Sequence, residues 1–227
     1  MKFSRDEFDD FIVDNGVVGF FKEPVTLKSG RTSRWYVNFR TLTEDVYLTE
    51  KLAGYVIAYT KDAGLSPDCF YGVPEGATKL AILTQYLWAK ERSVFSPGSH
   101  ALPMGRGKPK EHGNPKDRFF LGMPKGKTIV IEDVTTTGGS LLATIDTLHA
   151  AEVNVIAALG LANRMEVRDD GTTVKEAVEK KGVPYHCLSS AEDLLPLAYK
   201  KLKPGASIGK AVEEEFERYG SVKIKLR

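Results

Sequence analysis

The spacing of apolar residues predicts a helix, a hairpin and a second helix in the first third of the chain. An apolar stripe follows Ser4 and Glu7, which have the spacing of a capping box, so a short helix should begin there and end at Asn15. Two runs of β-favouring residues flank the polar turn 28–33, which is typical of a β-hairpin. From 44 to 63 the apolar residues recur at helical spacing.

Further along, short apolar runs alternate with helical patterns. The predicted strands cover 69–73, 93–95, 127–131, 153–161, 185–188 and 222–226. The predicted helices cover 78–90, 140–151, 174–180, 192–202 and 210–218. This order predicts an α/β fold in which helices flank a parallel sheet, and ligands bind such sheets at the carboxyl ends of the strands. We expect one compact unit with three parts, namely an N-terminal hood at 1–65, a core at 66–204 and an appendage at 205–227.

Composition narrows the class of protein. Hydrophobic residues make up 42% of the chain and charged residues 27%, and the formal net charge is +2. This balance disfavours broad binding to nucleic acid or to an anionic membrane, and no apolar run reaches the roughly 18 residues needed to span a bilayer. The two cysteines, Cys69 and Cys187, are far apart. A disulfide framework and a cysteine-rich zinc site are therefore not expected, and a cytoplasmic location is favoured.

The strongest chemical pattern lies between the strand predicted at 127–131 and the helix predicted at 140–151. Two adjacent carboxylates, Glu132 and Asp133, precede the hydroxyl- and glycine-rich turn 135–140. Glycines and a helix N-terminus expose N–H groups that suit a phosphate, whereas the carboxylates suit sugar hydroxyls or Mg²⁺. A single capping Thr or Ser would indicate only an ordinary helix start, but the whole pattern predicts a site for a ribose phosphate.

Three other segments carry candidate chemistry. Residues 104–118, called here the basic loop, hold five basic and two acidic residues, and their glycines and prolines oppose regular structure. This loop could be a cationic lid over a pyrophosphate or a solvated surface segment. The turn at 71–78 could bind pyrophosphate through its N–H groups or serve only as a connection. Arg164 follows a predicted strand, where it could bind a carboxylate or form a surface ion pair.

The segment 128–141 resembles the phosphoribosyl-pyrophosphate (PRPP) motif of type I phosphoribosyltransferases. In that family the acidic pair contacts the ribose hydroxyls and the following turn binds the 5′-phosphate. The resemblance therefore implies a type I phosphoribosyltransferase-like fold, PRPP as a substrate and Mg²⁺ as a cofactor.

The hairpin, the basic loop and Arg164 are similar to those of orotate phosphoribosyltransferases in particular. Arg106, Lys110 and His112 match the spacing of that family's flexible loop, which reaches into the neighbouring subunit and so implies a homodimer. The residues that the resemblance implies for PRPP are Lys28, Arg106, Lys110, His112, Glu132, Asp133, Val134, Thr135, Thr136, Thr137, Gly138, Gly139 and Ser140. Those implied for orotate are Tyr36, Val37, Thr136 and Arg164, and we expect Lys110 and Asp133 to be catalytic.

Three positions depart from the family pattern. Gly76 and Gly107 stand where orotate enzymes often have lysines, which removes one phosphate contact at each place. Lys79 and Lys108 are the neighbouring residues that could compensate. Asn163 stands where Asp is common before the arginine.

These observations lead to one hypothesis and two alternatives. The chain is expected to form orotidine 5′-monophosphate and pyrophosphate from orotate and PRPP, a step of pyrimidine (UMP) biosynthesis. A type I enzyme for another base, such as a purine, would be distinguished by a screen of nucleobases. A PRPP-binding regulator without activity would bind PRPP and release no pyrophosphate with any base.

Overall fold

The computed structural model describes residues 2–27, 30–112 and 118–226. The helices are α1 (Arg5–Asp14), α2 (Val46–Asp62), α3 (Thr78–Lys90), α4 (Gly139–Ala150), α5 (Val174–Glu179), α6 (Ala191–Leu202) and α7 (Ala206–Tyr219). The strands are β1 (Val18–Thr26), β2 (Thr32–Val37), β3 (Cys69–Gly72), β4 (Met104–Gly105), β5 (Phe120–Leu121), β6 (Thr128–Thr135), β7 (Val155–Asn163) and β8 (Tyr185–Ser190). A single 3₁₀ turn, Leu42–Glu44, precedes α2.

The centre of the fold is a parallel sheet with the strand order β3-β6-β7-β8. Its register aligns Gly72 of β3 with Ile131 of β6, and Thr135 of β6 with Asn163 of β7. Because all four strands run in one direction, their carboxyl ends lie at one edge of the sheet. The predicted α/β class and parallel sheet are confirmed.

The sheet is buried on both faces. Ile129 and Ile131 of β6 face a large core that includes α2, α3 and α6, whereas Val130 faces a second core formed with α4 and α5. A strand buried on both sides needs apolar residues at every position, and this explains the unbroken Ile-Val-Ile run. The helices therefore flank the sheet as the sequence predicts.

The hairpin and the two terminal helices pack on the larger core. Strands β1 and β2 pair antiparallel and α1 begins at its predicted N-cap, so the hairpin and the first helix are confirmed. Of the predicted capping box, the structure shows the bond from the Glu7 amide to the Ser4 hydroxyl. Trp35 of β2 is fully buried and lies 6.1 Å, between ring centroids, from Phe216 of α7. The division into hood, core and appendage stays a prediction.

Two predicted strands are wrong. Residues 93–95 form no strand in the structure, and Val94 and Phe95 are 59% and 56% exposed, because the sheet ends at β3 and offers them no partner. Residues 222–226 also form no strand, although Ile224 and Leu226 are buried. Their apolar alternation reflects packing on α7 rather than pairing, and the Leu226 amide donates to Glu213 Oε1 of α7 at 2.8 Å.

The other elements agree with their predicted positions to within a few residues, with two differences near the site. Strand β6 continues through Glu132 and Asp133 to Thr135, so the acidic pair lies within the strand and not after it. The basic loop begins with β4, which pairs antiparallel with β5 just beyond the loop's end, although the composition of the loop predicts no regular structure. In the described part of the chain, no helix is both long and apolar enough to cross a membrane.

Candidate active site

The turn between β6 and α4 has the backbone of an anion site. Gly138 adopts φ +71°, a left-handed conformation that favours glycine, and its carbonyl accepts the first helical hydrogen bond, from Leu142, at 2.9 Å. The amides of the first residues of α4 precede this bond, so they are available to a ligand together with the positive end of the helix dipole. Thr136, Thr137 and Ser140 are partly or fully exposed at the same turn. The arrangement suits a phosphate.

The hydroxyl of Thr135 is used inside the protein. It lies 2.7 Å from the hydroxyl of Tyr185, which is almost completely buried, and 3.4 Å from the Ala162 carbonyl. Burial raises the pKa of Tyr185, so this phenol remains protonated. Thr135 can therefore serve a ligand through its backbone, while its side chain ties β6 to β7 and β8.

The two side chains of the acidic pair differ in exposure. Glu132 is 6% exposed, whereas Asp133 is half-buried and its Oδ1 accepts from the Val134 amide at 2.9 Å. Asp133 also lies against the turn after β3, since a Cβ added at Gly76 would be 2.5 Å from its Oδ2. This contact explains why glycine occupies position 76, where a lysine would have to displace the carboxylate.

The same turn lies beneath the start of the basic loop. A Cβ added at Gly107 would be 2.5 Å from Glu75 Oε1, and one added at Gly105 would be 2.6 Å from Pro74 Cγ. The small residues at 105 and 107 thus allow the loop to pass directly over residues 73–77. Lys79 does not compensate for the missing lysine at 76, because its Nζ donates to the Thr43 carbonyl at 3.1 Å.

Most of the basic loop extends away from this contact. The ribbon continues past β4 and β5, since the Arg106 amide donates to the Phe119 carbonyl and the Lys110 amide to the Arg118 carbonyl, at 2.9 and 2.8 Å. The side chains of Lys110 and His112 are exposed. Among the described residues, no contact joins them to residues 135–140, called here the phosphate turn. Their proposed roles therefore stay predictions.

Arg164 lies inside the protein, in a network of charged groups. It is 3% exposed, its Nε donates to Glu166 Oε1 at 2.8 Å, and its Nη2 is 3.2 Å from Glu215 Oε1. Nη2 also donates to Ser33 Oγ at 3.0 Å, and the guanidinium stacks 3.9 Å above the Trp35 ring. The alternative of a surface ion pair is thus wrong. Nη1 donates to the Trp35 carbonyl at 3.4 Å, and Trp35 directly precedes the predicted orotate residue Tyr36.

Several partners of this network were missed by sequence reasoning. Arg31 binds Glu166 at 3.0 Å and Asp169 at 2.9 Å, and it lies 4.9 Å from the Tyr219 ring. Burial raises the pKa of Glu215, while the Ser33 hydroxyl and Arg164 act against this rise. Glu166, two residues after Arg164, could have been noticed in the sequence, whereas Glu215 gives no local signal.

The hairpin provides the remaining predicted base-site residues. Tyr36 packs on its own hairpin, with its ring 5.0 Å from that of Phe21 and its hydroxyl over Gly19. Val37 is partly buried against the larger core. Lys28, predicted to bind PRPP, lies outside the described residues, as do residues 113–117 of the basic loop.

Comparison with known proteins gives consistent results. No model of a protein family matches the chain. Proteins named orotate phosphoribosyltransferase are similar to it: one from Agathobacter rectalis is 28% identical over 97% of this chain and 99% of its own length. One from Bradyrhizobium diazoefficiens is 31% identical over 78% of this chain and 89% of its own length, and one from another Bradyrhizobium strain is 33% identical with 78% and 90% covered.

Solved structures agree on the fold. The orotate phosphoribosyltransferase of Francisella tularensis superposes with a TM-score of 0.69 at 17% identity, covering 95% of this chain and all of the other. The UMP synthase of Leishmania donovani gives a TM-score of 0.70 at 21% identity, covering 92% of this chain and 41% of the other. With relatives above 30% identity that the chain covers almost completely, and a site built on the same strand and turn that carry the sequence motif, this chain belongs to the orotate phosphoribosyltransferase family.

Proposed function

We propose that this protein transfers the phosphoribosyl group of PRPP to orotate and so forms orotidine 5′-monophosphate and pyrophosphate. The observation that carries the proposal is the continuous path from the acidic pair in β6, through the left-handed Gly138, to the N-terminus of α4. Along this path, two carboxylates that suit ribose hydroxyls are followed within one turn by amides that suit a phosphate.

In this proposal the protein mainly aligns the reactants and neutralises charge. The reaction breaks the C1–O bond of the ribose through an oxocarbenium-like state while the base nitrogen attacks C1. Glu132 and Asp133 hold the ribose hydroxyls and residues 135–140 hold the 5′-phosphate, which fixes C1 in line with the attacking nitrogen. The basic loop closes over the departing pyrophosphate, and Arg106, Lys110 and His112 then meet its developing negative charge.

Mg²⁺ fits this site as a partner of the substrate. No cluster of three or more metal-ligating side chains occurs among the described residues. A Mg²⁺ ion bound with PRPP would be held by diphosphate oxygens and by one or two carboxylates. Asp133, close to the turn at 73–77, is the carboxylate best placed to contribute, directly or through water. The ion would supply further positive charge to the leaving group.

Base selection is assigned to Arg164 and the hairpin. The Nη1 group of Arg164 donates to the Trp35 carbonyl, directly before Tyr36 and Val37, and its other nitrogens are hydrogen-bonded within the protein. The carboxylate of a pyrimidine bound on the hairpin would take the place of one of these acceptors. Thr136, which directly follows β6, is the remaining residue assigned to the base. Uracil lacks the carboxylate and is therefore a poor substrate in this proposal.

We also propose a homodimer in which each basic loop serves the neighbouring site. Exposed apolar side chains support it: they lie around α3, the segment after it and β5, and are Tyr86, Val94, Phe95, Leu102 and Leu121. Exposed apolar area of this kind favours burial against another chain. We place the protein in the cytoplasm, since both cysteines are free thiols.

A steady-state assay tests the function. Orotate, PRPP and Mg²⁺ should give orotidine 5′-monophosphate and stoichiometric pyrophosphate, while uracil, adenine, guanine and hypoxanthine should give little product. Preferred use of a purine, or PRPP binding without turnover of any base, would overturn the proposal. For the shared loop, mixing Lys110→Ala and Asp133→Asn subunits should restore about a quarter of the activity, because half of the hybrid dimers' sites are intact.

A further inference from the structure

Arg168, in the loop between β7 and α5, contacts the phosphate turn although no motif assigns it a role. Its Nη1 donates to the carbonyl of Thr137, in the middle of that turn. A guanidinium is thereby held against a segment, residues 135–140, that has no charged side chain of its own.

The Arg168 side chain is also incompletely satisfied. It is 23% exposed, and its Nε is buried without a hydrogen-bond partner among the described residues. The nearest carboxylate, Asp170, is 3.6 Å from Nε and is itself largely exposed and hydrogen-bonded to Thr172. The charge of Arg168 is thus balanced only weakly, by an exposed carboxylate, which leaves the guanidinium available to a further anion.

The backbone around Arg168 fixes it beside the turn. Its amide donates to the Thr172 carbonyl at 2.8 Å, and its carbonyl accepts from Gly171 at 2.9 Å, which closes a tight loop. On the same side, Val174 at the start of α5 packs against Gly138, where an added Cβ would be 3.0 Å from Val174 Cγ1. One residue of the β7–α5 connection and the first residue of α5 thus contact the two central residues of the phosphate turn.

We propose that Arg168 is a positioning residue for the 5′-phosphate of the sugar substrate. It holds the Thr137 peptide so that the amides of the turn face the phosphate, and it adds a positive charge to a cradle otherwise built from neutral donors. The identity of the ligand rests on the proposed function, but the site for a sugar phosphate does not depend on which base is used. The predicted effect is confined to the phosphate end of PRPP, away from the pyrophosphate end under the basic loop.

Two fragments of PRPP separate these ends. Binding of ribose 5-phosphate and of pyrophosphate with Mg²⁺ is measured by calorimetry on the full chain and on Arg168→Gln, Arg168→Lys and a control, Arg92→Gln. Arg92 is exposed and stacks 3.8 Å from the Trp88 ring, so its variant removes one positive charge at another surface. Arg168→Gln should weaken ribose 5-phosphate on the order of tenfold or more, because a charge-assisted contact is lost. Pyrophosphate should change by less than about twofold, and Arg168→Lys should lie between wild type and Gln.

Two results would overturn the inference. Ribose 5-phosphate affinity unchanged in Arg168→Gln would show that the guanidinium does not act on the phosphate. Equally weakened binding of both fragments would show a general loss of structure or of positive charge. The Arg92→Gln control shows how much the loss of one charge alone contributes. Neither result depends on turnover, so an absence of orotate activity would count against the proposed function alone.

Discussion

Replacing Arg164 by glutamine should destabilise the protein as well as impair the use of orotate. The substitution removes the cation that lies between Glu166 and Glu215 and stacks on Trp35. Glu166 retains Arg31 as a partner, but Glu215 retains only the Ser33 hydroxyl and a backbone amide. Breaking a buried ion pair from one side typically costs about 3–5 kcal/mol, which is a large part of the roughly 5–15 kcal/mol that holds a domain of this kind folded.

The loss should depend on pH. Burial raises the pKa of Glu215 already in the presence of Arg164, and without the guanidinium it rises further. The folded variant then binds a proton that the unfolded chain releases, so its stability falls as pH rises through this range. We expect a smaller loss at about pH 5 than at about pH 8 for Arg164→Gln.

Urea denaturation followed by tryptophan fluorescence measures these effects, because Trp35 lies directly beneath the guanidinium. The matched control is Glu215→Gln, and the double variant Arg164→Gln/Glu215→Gln should lose less than the sum of the single losses. A loss below about 1 kcal/mol for Arg164→Gln, or strict additivity in the double variant, would refute the network as described. Because Arg164→Gln is expected to be less stable, its kinetics should be measured without urea and only after its folding has been verified.

Three further changes have defined outcomes. Lys110→Ala should lower turnover by at least about tenfold in steady-state assays, since leaving-group charge is no longer neutralised, and turnover within about twofold of wild type would contradict the lid role. Asp133→Asn should raise the KM for PRPP and lower kcat, measured with orotate saturating. An unchanged kcat/KM would show that Asp133 does not contact the ribose. Asp9→Asn tests a buried carboxyl whose pKa is raised by burial from 3.8 to about 7. The folded state keeps this proton up to a higher pH than the unfolded chain does. The stability of the wild type should therefore fall by at most about 4 kcal/mol as the pH rises from about 4 to about 7. The melting temperature of the Asn variant should depend less on pH over this range.

The strand, turn and helix of the candidate phosphate site could be predicted because their determinants are contiguous. A buried β-run, two acids, a glycine turn and a helix start occupy residues 128–141, and each piece has a local conformational preference that the fold respects. The first helix was equally predictable, because its N-cap Ser4 directly precedes it and bonds to Glu7, only three residues further on.

The parts that failed depend on distant neighbours. Residues 93–95 have the composition of a strand but no adjacent strand to pair with, and residues 222–226 bury apolar side chains without joining a sheet. Arg164 illustrates the same limit: its partners Ser33 and Glu215 are 131 and 51 residues away along the chain. Nothing in the sequence near Arg164 indicates that two separate elements supply its environment.

The contact between Glu215 and Arg164 has a consequence for how the protein is made. Helix α7 leaves the ribosome after every strand of the parallel sheet, so the sugar-phosphate cradle can form while the guanidinium still lacks one of its acids. A nascent chain at that stage would hold the Arg164 guanidinium beside Glu166 alone, and the Arg164 network would be complete only after α7 had folded back onto β2.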